Sequence, residues 1–228
     1  MNTTLKRQDF FSPFVIIIFT ALIVQLIGRY YAPQCLVIGS YFYALWVVLR
    51  IAVPLAVLFM LRVPVRALGL GVPRIDRRFR NVILVMAAIL IAVFAALYFY
   101  QGYFSSYTAS FHSGDYSKLD RFVNFMIFTS STLTGWEFLH RAFLLMGLAY
   151  VLQKNEKFDE RTAMIAALCV VWVFEVVFHF IKPVLEPVGL LVGSPLLSYI
   201  ALRTRSIWPA FLSHLLVEIL FIASLIFR

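Results

Sequence analysis

The chain has 228 residues, of which 62% are hydrophobic and 14% charged, and its formal net charge is +9. Globular domains carry about 25% charged residues, and a soluble fold lacks the interior to hide this much apolar sequence. With a mean hydropathy of +0.90, a soluble domain is excluded. The positive charge reads as loop residues that set membrane topology, not as a nucleic-acid surface.

A hydrocarbon core of roughly 30 Å takes about 20 apolar residues as a helix. The first run spans 12–31; no small-x-small cleavage site follows it, so it reads as an uncleaved span. The second spans 42–61 and carries Arg50 and Pro54 inside. The third spans 82–100, and a polar loop over 101–120 follows it. The fourth is unusually long, 122–152, and suits either one tilted helix or a helix with an entry segment. The fifth spans 163–181. The sixth spans 185–202, where Gly189, Gly193 and Pro195 are expected to break its regularity. The seventh spans 207–227. The runs are continuous rather than alternating with period two, so they predict helices and not barrel strands. The expected fold is all-α: a polytopic transmembrane helix bundle of about seven spans, with eight as the variant. Residues 1–120 are expected to form an N-terminal region of three spans, and residues 121–228 a second, catalytic helix bundle.

Basic residues orient these spans. If every run crosses once, 13 of the 20 Lys and Arg residues lie on the side of the N-terminus. Such residues mark the cytoplasmic face. The expectation is a multi-pass protein of a bacterial cytoplasmic (inner) membrane with its N-terminus inside and membrane lipids around it. Two cysteines, Cys35 and Cys169, give no disulfide framework.

Ionisable groups inside apolar runs are costly and usually face a bundle interior or a wet cavity. Four of the 11 acidic residues lie in or beside spans of the second half: Glu137, Glu175, Glu186 and Glu218. His140, His179 and His214 lie there too, whereas the first three spans contain only Arg50. Glu137 and Arg141 are four residues apart and share a helix face. Glu175 and His179 are four apart, and so are His214 and Glu218. Three helices thus each present an acid-base pair. If the faces converge, the cluster contains a carboxylate to activate water, imidazoles to polarise a carbonyl and an arginine to orient the base. The same His and Glu groups suit a divalent metal such as zinc, and His179 and His214 are its candidate ligands. They equally suit a metal-free glutamate mechanism or a proton relay. His140 reads as a residue lining the same face, and His112 as a solvated loop residue. No phosphate loop or serine elbow stands out.

At these residues the chain resembles the CPBP family, the CAAX-protease-like or Abi intramembrane endopeptidases. That family carries Glu-Glu-x-x-x-Arg, then Phe-x-x-x-His, then His-x-x-x-Asn or Asp, on three helices. Glu137 and Arg141 match the second Glu and the Arg, His179 matches the second motif and His214 the third. The resemblance covers roughly 121–220. Three positions depart: Trp136 stands for the first Glu, Glu175 for the Phe and Glu218 for the final Asn or Asp. The resemblance implies a membrane endopeptidase acting on a peptide or prenylated-protein substrate. In that reading Glu137 activates water, Arg141 orients it, His179 and His214 position the reactants, Glu218 supports His214 and Glu175 is a second base. The departures leave open a non-catalytic immunity or scaffold protein on the same fold. The buried Glu and His pairs leave open a proton-coupled transporter. A naive straight-helix layout separates His179 and His214 by over about 10 Å in depth, so a tilt, a break or a shifted span has to bring them together.

Overall fold

The computed structural model describes residues 12–31, 41–73, 77–99, 117–180 and 185–227. Among these residues every regular element is helical, as the continuous apolar runs require. The helices are α1 (Pro13–Tyr31), α2 (Tyr41–Met60), α3 (Arg77–Phe99), α4 (Lys118–Glu137), α5 (Leu148–Lys154), α6 (Glu160–His179), α7 (Leu185–Thr204) and α8 (Trp208–Ile226). A short 3₁₀ turn, Val65–Leu68, follows α2. A π-helical segment, Phe138–Gly147, joins α4 to α5 without a break. The long fourth apolar run is therefore one continuous rod, without a separate entry segment. The polar loop at 101–116, with His112, lies outside the described residues, as do Cys35 and Lys182.

Side-chain hydrogen bonds start two of the rods. Ser117 caps α4 by accepting from the Asp120 amide, and Asp159 caps α6 by accepting from the Thr162 amide at 3.0 Å. Each satisfies a donor that the first turn of a helix leaves unpaired. The Thr162 bonds also hold the Asp159 carboxyl below the usual carboxylate range. The sixth run differs from expectation: α7 continues through Gly189, Gly193 and Pro195. Proline deletes one backbone bond and strains the turn before it, but packing against α6, α8 and the π-helical segment holds the rod together.

The π-helical segment is the hub. All ten of its residues are buried, and α1, α2, the 3₁₀ turn, α4, α5, α6 and α7 all touch it. Such i→i+5 turns are rare and concentrate at functional sites. The apolar core runs along it, with Leu139, Phe143, Leu144 and Leu145 fully buried against Ile17, Leu58, Ala167 and Ile200. α6 and α7 pack together beside it, and α8 lies against α4 and α7. The start of α8 is bolted to the loop after α2. The Ile207 amide donates to the Gly69 carbonyl at 2.8 Å, and the Trp208 indole donates to the Leu70 carbonyl at 2.9 Å. Gly69 itself sits at φ +67°, a conformation a side chain would strain.

Two helices, over Glu160–His179 and Pro187–Thr204, are long and apolar enough to cross a membrane. Shorter apolar stretches occupy Pro13–Gly28, Val47–Met60, Phe79–Val93 and Trp208–Ser224. Large apolar side chains stay exposed along these rods, among them Phe19, Phe59, Ile91, Val173, Val192 and Leu212. Exposed apolar surface on this scale suits a membrane or a protein partner.

Candidate active site

Glu137 is the last residue of α4, and Arg141 lies one turn on in the π-helical segment. Both are buried, with Glu137 only 1% exposed. The Arg141 Nε and Glu137 Oε2 atoms are 3.6 Å apart, an ion-pair distance too long for a hydrogen bond. Arg141 makes its hydrogen bond elsewhere: Nη2 donates to Glu175 Oε2 of α6 at 3.0 Å. The Trp136 indole N–H donates to the other Glu175 oxygen at 3.1 Å. Both oxygens of Glu175 are thus occupied, and its side chain is fully buried.

From the opposite side, α8 brings His214 to Glu137. The His214 Nδ1–H donates to Glu137 Oε1 at 2.7 Å, a charge-assisted contact of the strong kind. Its Nε2 lies 3.9 Å from Glu218 Oε1. The second oxygen of Glu137, Oε2, is buried and accepts no hydrogen bond from the protein. Residues from all three acid-base pairs read from spacing therefore converge on one cluster: Glu137 and Arg141, Glu175, and His214 with Glu218.

His179 joins less directly. Its Nδ1–H donates to the Glu175 carbonyl at 2.7 Å, and its ring stands edge-on to Trp136 with centroids 5.0 Å apart. Trp136, the departure from the first motif, thus touches the second histidine while its indole holds Glu175. The cluster forms without a break in α7: Glu137 and Arg141, at the junction of α4 and the π-helical segment, reach His214 of α8 and Glu175 of α6 respectively.

Three further residues complete the cluster: His140, read from spacing only as lining the same face, Arg50, noted only as a lone charge in its span, and Gln25, which carried no signal. His140 is fully buried and stacks on Trp136 at 4.0 Å between ring centroids. Its Nδ1–H donates to the Trp136 carbonyl at 2.8 Å, and its Nε2 is 3.0 Å from the Gln25 amide nitrogen. Arg50 donates to the Gln25 amide oxygen at 3.1 Å, which turns the Gln25 NH₂ toward His140 and leaves His140 as the neutral Nδ1–H tautomer. Arg50 also lies over the Trp136 ring, 5.1 Å from its centroid, within cation–π range. The pattern of ionisable residues points to the second half of the chain, yet α1 and α2 supply the groups that hold Trp136. Gly135 makes this approach possible, because a Cβ there would meet Arg50 side-chain atoms at 3.2 Å. The lone Arg50 in an apolar run was the one available signal; a polar but uncharged Gln25 gave none.

The residues fit a metal centre poorly. Among the described residues no three His, Cys, Asp or Glu side chains are grouped to hold a metal ion. His179 and His214 each donate Nδ1–H to a protein acceptor, a carbonyl and Glu137 respectively, a bond that metal-bound histidines also make, so it is the lack of a third grouped ligand among the described residues that counts against a metal.

Comparison with known proteins bears on the same stretch. No curated protein and no solved structure matches the chain. Residues 122–220, from α4 into α8, match the family described as Type II CAAX prenyl endopeptidase Rce1-like, consistent with the CAAX-protease-like (CPBP) resemblance of the motif order.

Proposed function

We propose that the protein is a multi-pass membrane endopeptidase of CAAX-protease type that uses Glu137 as its base. The observation that carries this reading is the state of Glu137: Oε1 is held by His214 at 2.7 Å, while Oε2 is buried with no hydrogen-bond partner. A carboxylate fixed through one oxygen and open at the other can accept a proton from water. The water oxygen then bonds to the peptide carbonyl carbon. The C–N bond breaks, and the proton held by Glu137 passes to the leaving amine. His214 orients Glu137 through Nδ1–H, with Glu218 behind it. Arg141 holds the carboxylate in place, and His179 meets the charge that develops on the carbonyl oxygen. Glu175 anchors Arg141; with both oxygens engaged, it serves as the counter-ion of the site rather than as a second base.

The seven helical rods, with their exposed apolar flanks, are read as a bundle in the cytoplasmic membrane, its basic loops inside. The substrate class follows from the family: a peptide carrying a prenyl group, which would partition into the same bilayer as the site.

The test is cleavage of a fluorogenic farnesylated peptide by detergent-purified protein, beside the same peptide without the lipid and the same assay with chelator. Cleavage of the farnesylated peptide that survives chelation is expected. A folded protein inert toward a broad set of prenylated peptides would transfer the reading to the non-catalytic alternative, with Trp136 as the cause.

A further inference from the structure

Hydroxyls in helices usually return to their own backbone, donating to the carbonyl one turn back. Thr20, Ser131, Thr132, Thr134, Thr204 and Ser213 all do so here. Ser194 and Ser198 of α7 do not. Both are fully buried, and neither Oγ makes a hydrogen bond to the protein. They are four residues apart, so they share one face of α7, the helix that packs on α6 and the π-helical segment. Ser194 lies beside the Glu175 carboxylate, outside hydrogen-bond geometry.

Three more buried atoms in this neighbourhood lack a hydrogen-bond partner: Glu137 Oε2 and Arg141 Nε and Nη1. Glu137 Oε2 and Arg141 Nε face each other across 3.6 Å, a separation that a bridging water can close. Each buried polar group left unpaired costs about 1–3 kcal/mol, and a bilayer offers no outside water to relieve it. A buried water needs two to four polar partners, and carboxylate, guanidinium and hydroxyl groups supply both donors and acceptors. Without such a partner the two serines would be costlier than alanine on this face.

We propose that Ser194 and Ser198 are positioning residues of a buried water site that reaches Arg141 and Glu137 and supplies the water Glu137 activates. The inference rests on the endopeptidase reading for its role in catalysis, but the hydration itself does not. Two experiments separate them. In the full chain with Cys35 and Cys169 changed to Ala, Ser194→Cys and the same-helix control Leu197→Cys are followed by the infrared S–H stretch on transfer to deuterated buffer. The thiol introduced by Ser194→Cys is expected to exchange at least tenfold faster than the control and to show the shifted band of a hydrogen-bonded S–H. Exchange no faster than in Leu197→Cys overturns the water site. In the cleavage assay, Ser194→Ala is expected to lower kcat at least tenfold with KM unchanged, and Ser194→Thr, which keeps the hydroxyl, to restore it to within threefold. Full kcat in the Ala variant, or a Thr variant no better than Ala, overturns the positioning role. A wild-type protein that cleaves nothing sinks the endopeptidase reading, and the thiol exchange then decides the water site alone.

Discussion

Two carboxylates sit on either side of Arg141, and their surroundings differ. Glu175, on α6, has both oxygens taken by Arg141 and Trp136, and its side chain is sealed from solvent. Glu137, at the junction of α4 and the π-helical segment, has one oxygen on His214 and the other 3.6 Å from Arg141 Nε with no hydrogen bond. The histidine it holds is 18% exposed at its side chain. The Glu175 side of the cluster is saturated and enclosed; the Glu137 side keeps a free acceptor next to the accessible imidazole. Saturation suits a group that holds charge in place, and an open lone pair suits a group that takes a proton. Two residues of one type are thus divided by environment alone, in the way two carboxylates commonly take different roles in one site.

Substitution should separate the two sides, and the widest gap lies between the carboxylates themselves. Glu137→Gln should lower the cleavage rate about 10³-fold, in the range general bases contribute, while moving the thermal midpoint in detergent little. Glu175→Ala should act chiefly on stability: removing one partner of a buried pair costs about 3–5 kcal/mol, visible as a large fall in the midpoint. Equal midpoints for the two variants would dissolve the comparison. Trp136→Phe comes next. It keeps the stack with His140 but deletes the indole bond to Glu175, and about 1 kcal/mol is expected from one hydrogen bond, seen as a smaller midpoint shift of the same sign as Glu175→Ala. A shift as large as the Glu175 one would make Trp136, not Arg141, the principal anchor.

Gly135→Ala sharpens the contribution of α2. The added methyl would press on Arg50 Cβ and Cδ at 3.2 Å and on the Val47 backbone at 3.4 Å; because Cβ and backbone atoms move only with their helix, the cost should be about 1–3 kcal/mol, with indole fluorescence reporting a disturbed Trp136. The smallest effect belongs far from the site. Asp159 is held below the usual carboxylate range by its Thr162 bonds, so its capping contribution is present above the unfolded pKa of about 4 and is lost as pH falls through the lower folded value. Asp159→Ala should therefore lower the midpoint slightly at neutral pH, and the gap from wild type should close in acid.

Much of this cluster could be read from spacing. Glu137 with Arg141, and His214 with Glu218, are ionisable pairs in apolar runs, where burial needs a partner, and the four-residue spacing places each pair on one face. The helix ends were also legible: α6 and α7 begin and end within a few residues of the apolar limits, because polar caps and loops bound them. Three features were not. The π-helical segment leaves no trace in a pattern read with α-helical period, so His140 read only as lining the same face, with no hint of its stack on Trp136. Gln25 is uncharged and unremarkable in its run, and only the fold sets it between Arg50 and His140. Pro195 signals a break in sequence, but a helix packed on α6 and the hub tolerates it. The partner exchange at Arg141 was equally hidden: spacing pairs it with Glu137, one turn away on the same rod, whereas tertiary packing gives its hydrogen bond to Glu175.

The central claim is that Glu137 is the base of a membrane peptidase, and the most direct measurement follows one farnesylated peptide by mass spectrometry. Wild type and Glu137→Gln are compared in lipid vesicles after both are shown to share the same thermal midpoint. The expected result is cleaved product bearing one oxygen from solvent water with wild type, and a rate about 10³-fold lower with Glu137→Gln. Equal cleavage by the two proteins would contradict the claim.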